Sequence, residues 1–113
     1  SHARIGEGSD ALCTLVSKAR TFAKTRFAQG GAPHITKNKD MKAKDIERFV
    51  ELSPPVLTLM KTYATSHTLS PRAYHRVLRL ARTIADLRGS AHVSEDDILE
   101  AFQYRPKLYE NRL

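Results

Sequence analysis

The residues best equipped for chemistry in this chain are arginines. In "LSPRAYHRVLRLARTIADL", residues 69–87, Arg72, Arg76 and Arg79 recur at helical spacing, flanked by His75 and Arg82. A guanidinium group is a planar fork of N–H donors that stays charged, and the fork fits phosphate oxygens two at a time. Three on one helical face could meet phosphate, meet another subunit, or lie solvated behind a helix whose other side is core. Arg72 is the most telling, because it falls in the first turn behind Ser70 and Pro71. A cation there is mildly unfavourable with the helix dipole and needs a reason, a phosphate being one and a plain first-turn surface position the alternative.

Other chemistry finds little support. There is no GxxxxGK[ST], GxGxxG or HExxH string, so neither a phosphate-cradling loop nor a helical zinc motif can be read. The histidines (His2, His34, His67, His75, His92) include no i, i+4 pair, and no metal site is expected. Cys13 is the single cysteine. It excludes an internal disulfide, fits a reducing, cytoplasmic setting, and is expected to be a partly buried small side chain. The adjacent Asp96 and Asp97 are accounted for by helix capping. No catalysis is expected from this chain itself.

The elements that position the arginines follow from periodicity, which is helical throughout. A first helix is expected from Ser9, as its cap, to Phe27, with Leu12, Leu15, Val16, Ala19, Phe22, Ala23 and Phe27 facing inward. Gly30-Gly31 ends it. Residues 29–41, "QGGAPHITKNKDM", read as a flexible polar loop. Lys37, Lys39, Lys42 and Lys44 form a loose basic run there that reads as solvated, with DNA as the alternative. A short helix from Lys42 to Leu52 is expected to bury Ile46, Phe49 and Val50, and a third runs from Pro54 to Thr65. The arginine helix is the fourth. Ser70 caps it, and Tyr74, Val77, Leu78, Ala81, Ile84 and Ala85 form its apolar stripe, with the arginines opposite and a weak local Arg82–Asp86 link at i, i+4. The fifth begins at the capping box of Ser94 and Asp97, with Val93 and Ile98 as a hydrophobic staple. Tyr74 and Phe102 read as core, and Pro106 as a stop. The fold class expected is all-α, a bundle of about five helices.

With 113 residues and 41% hydrophobic content, the chain can build one core, so residues 1–113 read as a single helical domain. No run of about 18 apolar residues suggests a membrane span. Ser1-His2, without an initiating methionine, reads as a cleaved-tag remnant, residues 1–8 as tag and linker, and the chain as a piece of a longer protein. The net charge of +7 favours an anionic partner.

One stretch is more specific. Residues 69–105, with Ser70-Pro71-Arg72, "ARTIADL" at Ala81–Leu87, the Val93-Ser94 start and the closing Tyr104-Arg105, resemble the C-terminal lid of magnesium-chelatase-like AAA+ ATPases. The likeness is strongest to their competence-associated branch. It extends more loosely back to Gly6, through Arg20 and Arg26, whereas Cys13 and Ala23 stand where that pattern has arginine and glutamine. The resemblance implies that an upstream ATPase core of the same chain binds ATP and Mg2+, and that the parent assembles as a homo-oligomeric, hexameric ring. It implies that Arg72 is the sensor arginine for the ATP phosphates, in cis or in trans; Arg76 and Arg79 read by default as a solvated face, with phosphate or subunit contacts as the alternative. On this reading the piece alone holds no nucleotide strongly.

Two other readings compete. A stand-alone, basic helix-turn-helix-like DNA-binding domain would use "LMKTYATSHTLSPRAYHRVLRL" as helix, turn and helix. A chelatase subunit acting on a porphyrin would share the fold, and this lid would touch no porphyrin.

Overall fold

A computed structural model describes the backbone of residues 2–110 and the side chains of residues 10–104. In chain order the elements are α1 (His2–Gln29), a 3-10 turn (Asn38–Asp40), α2 (Ala43–Phe49), α3 (Pro54–Ser66), α4 (Pro71–Leu87) and α5 (Glu95–Glu110). The described residues contain no strand. The all-α architecture of five helices read from periodicity is the one found.

Local chemistry sets most of the boundaries. Ser70 Oγ accepts the Ala73 N–H at 3.1 Å, and Pro71 takes the first position of α4 without forfeiting a hydrogen bond. At α5 the capping box closes in both directions. The Ser94 N–H donates to the Asp97 carboxylate at 2.8 Å, and the Asp97 N–H donates to Ser94 Oγ at 3.2 Å.

Three helix ends share one geometry. After α1, α3 and α4 the chain makes paired bonds back onto the last turn: Ala32 N–H to Phe27 O and Gly31 N–H to Ala28 O, Leu69 to Ala64 and Thr68 to Thr65, Ser90 to Ala85 and Gly89 to Asp86. This is the Schellman arrangement, which needs one residue at positive φ. Gly31 (φ 79°) and Gly89 (φ 75°) supply it freely, while Thr68 (φ 52°) does so with a β-branched side chain.

Helix α4 occupies the middle, packed against α1, α2, α5 and the 3-10 turn, while α5 also packs on α3. Its Val77, Leu78, Ala81 and Ala85 are buried together with Ala23 and Phe27 of α1, Met60 of α3 and Ile98 and Ala101 of α5. Phe27 and Phe49 meet edge to face, 5.0 Å between centroids. Phe49 also closes over Gly30, where any Cβ would collide with its ring.

Several expectations are corrected. Helix α1 continues through Ser9, which is not its cap, and among its described side chains the buried ones, Ala19, Ala23 and Phe27, lie in its C-terminal half. Leu12, Leu15 and Phe22 stay exposed, and Cys13 is exposed with them. Residues 29–41 are largely exposed, but Ala32, Ile35, Asn38 and Met41 turn inward and Asn38–Asp40 form the 3-10 turn, so the segment contributes to the core as well as to the surface. Helix α2 stops at Phe49, three residues short of Leu52. Tyr74 and Phe102 are only partly buried, and Phe102 lies against Tyr63 and His67 at the margin of the core. Pro106 does not end α5, whose backbone runs on to Glu110. No described helix is long and apolar enough to cross a membrane.

Candidate functional site

The three predicted arginines share one side of α4 but differ in surroundings. Arg72 is exposed, one position past Pro71. The cap has already consumed the Ala73 N–H, so what the helix start still offers an anion is the Arg72 backbone N–H and its exposed guanidinium. Arg76 and Arg79 are half-buried rather than solvated. Arg79 donates to the Met41 carbonyl at 3.3 Å, which ties this face to the end of the 3-10 turn. Burial first, and then the neighbouring charges of Arg76 and Arg72, pull the Arg79 guanidinium below its ordinary value. The three charges therefore feel one another, and an anion settling among them would relieve repulsion. Lys37, Lys39, Lys42 and Lys44 are exposed, as expected of a solvated run.

Arg82 departs furthest from its expected place. It is 2% exposed, and its foreseen i, i+4 link to Asp86 (3.1 Å) is one bond of a buried network rather than an isolated local pair. Asp86 is also paired with Arg26 of α1 and accepts from Asn38 Nδ2 at 2.8 Å. Asn38 Nδ2 reaches Thr83 Oγ1 at 3.1 Å as well. Arg82 donates to the Ser90 and Ala91 carbonyls at 2.6 and 2.9 Å, holding the α4–α5 connection, while its Nε is buried with no partner. One carboxylate thus faces two guanidinium groups. Desolvation is the largest influence on Arg82 and pulls its pKa down; Asp86 opposes it and Arg26 adds to it.

This network was only partly legible. Arg82 and Asp86 announce themselves by spacing, but Arg26 and Asn38 lie 60 and 48 residues from Asp86, beyond any local pattern. The one signal for Arg26 was its place in the family pattern.

Beside the network lies an open groove of about 830 Å³ between α1, the end of α2 and the α4–α5 connection, lined in part by Phe22, Arg26, Arg48, Phe49 and Arg82. Nothing in the sequence singled it out. Among the described residues no three of His, Cys, Asp and Glu gather closely enough to hold a metal ion.

A five-helix globule whose fourth helix starts at Ser70-Pro71-Arg72, carries "ARTIADL" and leads into a capped fifth helix has a counterpart among known families. Residues 6–105 match the family described as magnesium chelatase, subunit ChlI C-terminal, and the chain belongs to that family. It is also similar to competence protein ComM of Haemophilus influenzae, at 37% identity over 68 residues, which cover 60% of this chain and 13% of that protein. The chain therefore spans a small part of that relative's length. No solved structure matched it.

Proposed function

We propose that this domain is the helical lid of a magnesium-chelatase-related AAA+ ATPase, and that Arg72 is its sensor for the nucleotide phosphates. The observation that carries the reading is Arg72 itself, an exposed guanidinium at the capped start of the central helix. Asp86 and Asp97, the buried acids of α4 and α5, are taken up by Arg26, Arg82 and Arg88, so neither is needed to hold Arg72. A donor fork at the tip of a helix built into the core moves as the lid moves, which is what reporting hydrolysis to a ring requires. ATP with Mg2+, bound by an upstream core, would supply the phosphoryl group, and this chain's part is to place one charge against it. The same arrangement serves a phosphate in the same subunit or in a neighbouring one.

The test is the ATPase rate of the full-length parent. Arg72→Ala should lose hydrolysis tenfold or more, about 1.4 kcal/mol per decade, with assembly intact, while Arg76→Ala should retain most of it. Normal hydrolysis in both variants would overturn the assignment. Binding of duplex DNA that weakens with salt and with Arg76 and Arg79 substitutions would instead favour the DNA-binding reading.

A further inference from the structure

The groove between α1, α2 and the α4–α5 connection makes a different demand from Arg72. Its volume lies within the range of small-molecule sites. Its apolar surface is aromatic: the ring of Phe22 is exposed and that of Phe49 forms part of the wall. Each ring carries a guanidinium, Arg26 over Phe22 at 5.5 Å and Arg48 over Phe49 at 5.0 Å. The titratable lining consists of Lys18, Arg26, Arg48, Glu51, Arg82 and His92.

The charge balance of that lining points one way. Behind the wall, Asp86 pairs directly with both Arg26 and Arg82, and Asp97 adds its negative charge in favour of the Arg82 guanidinium, so two cations share one directly paired carboxylate. Arg82 is 2% exposed and its Nε has no hydrogen-bond partner. A buried N–H left without an acceptor is costly in a low-dielectric setting. At the rim, Lys18 and Arg48 outnumber Glu51, so the mouth adds to the potential instead of cancelling it. An anion in the groove would favour these two guanidinium groups through space and meet the rim cations directly. A flat apolar body attached to it would cover the two rings.

We infer that this groove is a binding site for a small planar organic anion, an aromatic carboxylate, sulfonate or phosphate, with its ring against Phe22 and Phe49 and its charged end toward Lys18 and Arg48. The site is separate from Arg72 and does not depend on the lid reading. Its occupation would tie α1 to the α4–α5 connection, since Arg82 already holds the Ser90 and Ala91 carbonyls.

The test titrates the 113-residue chain with 1-anilinonaphthalene-8-sulfonate, followed by fluorescence and calorimetry, with thermal melts to establish that each variant is folded. The expected result is saturable one-to-one binding. Lys18→Glu and Arg48→Glu should each weaken it tenfold or more, and Phe22→Ser should weaken it to a similar degree. Lys24→Glu, a charge reversal of the same kind at an exposed position outside the groove, and Arg72→Ala should leave it unchanged. The uncharged analogue N-phenyl-1-naphthylamine should bind at least tenfold more weakly to the wild type. Non-saturable binding, equal binding of the uncharged analogue, or indifference to both charge reversals in folded variants would overturn the proposal. Loss on Arg72→Ala would place the probe at the phosphate sensor and overturn it too.

Discussion

Asp97 shows how a single side chain can be fully committed. It is 2% exposed, receives the Ser94 N–H, and is paired with Arg88 at 2.7 Å across the α4–α5 connection. Burial alone would raise its pKa; the hydrogen bonds from Arg88 and Ser94, with the Arg88 charge, outweigh that and hold the carboxyl below its ordinary value. An acid that ionises more readily in the folded state than in the unfolded one stabilises the fold above the unfolded carboxyl pKa. That contribution fades as pH falls through the lower, folded value. Asp97→Asn should therefore cost about 1–3 kcal/mol at pH 7. The gap between variant and wild type should narrow when urea unfolding is repeated near pH 3, and a pH-independent gap would refute the account. The capping role of Asp97 was legible in "SEDD", because a capping box is local. Its ion pair with Arg88 was not, because nothing in the spacing says that the turn after α4 folds back over the start of α5.

At the level of elements, what could be read in advance was what neighbours in sequence decide. Ser70-Pro71 and the Ser94–Asp97 box start α4 and α5 where the residue types say they should. What could not be read was which faces find partners. The apolar stripe of α1 is continuous from Leu12 to Phe27, yet Ala19, Ala23 and Phe27 are buried while Leu12, Leu15 and Phe22 are exposed; Arg82 looks like surface by composition and is buried in a network that Arg26 and Asn38 join from elsewhere. The helix ends supply the element-scale prediction. Of the three Schellman turns, two have glycine at the left-handed position and the third has Thr68. A β-branched residue there is strained by roughly 1–2 kcal/mol, offset in part by the greater unfolded-state freedom of glycine. Thr68→Gly should stabilise the chain by about 0.5–1 kcal/mol, read as a rise of a few degrees in Tm. A fall in Tm would mean that the Thr68 side chain contributes more by packing than its backbone loses. The same turn bears on the helix-turn-helix reading. It sits between α3 and α4, so a variant with a relaxed turn and unaltered arginines separates stability from any binding.

For the whole molecule, the dimensions say that α1 does two jobs. The chain measures 44 × 36 × 28 Å with a radius of gyration of 15.1 Å, against about 13 Å for a compact domain of ~100 residues. A helix as long as α1, 28 residues, reaches about 42 Å at 1.5 Å per residue, a length comparable to the longest dimension. Its C-terminal half is anchored by Ala19, Ala23 and Phe27, with Arg26 pinned to Asp86. Its earlier half presents Leu12 at 57% and Leu15 at 46% exposure. Leucines left in water contribute almost nothing to the stability of this fold, since the hydrophobic gain scales with area removed from solvent. The double substitution Leu12→Ser, Leu15→Ser should therefore move the unfolding free energy by less than about 1 kcal/mol, as two surface changes do. Phe27→Ala, at a side chain with no exposure, should cost about 3–5 kcal/mol. Urea unfolding of the three chains at one protein concentration decides the matter. If the serine pair costs as much as the Phe27 truncation, the exposed half of α1 is packed against something in solution. If the two differ as expected, α1 is half core and half handle, and those leucines are free for whatever surface the parent protein brings to them.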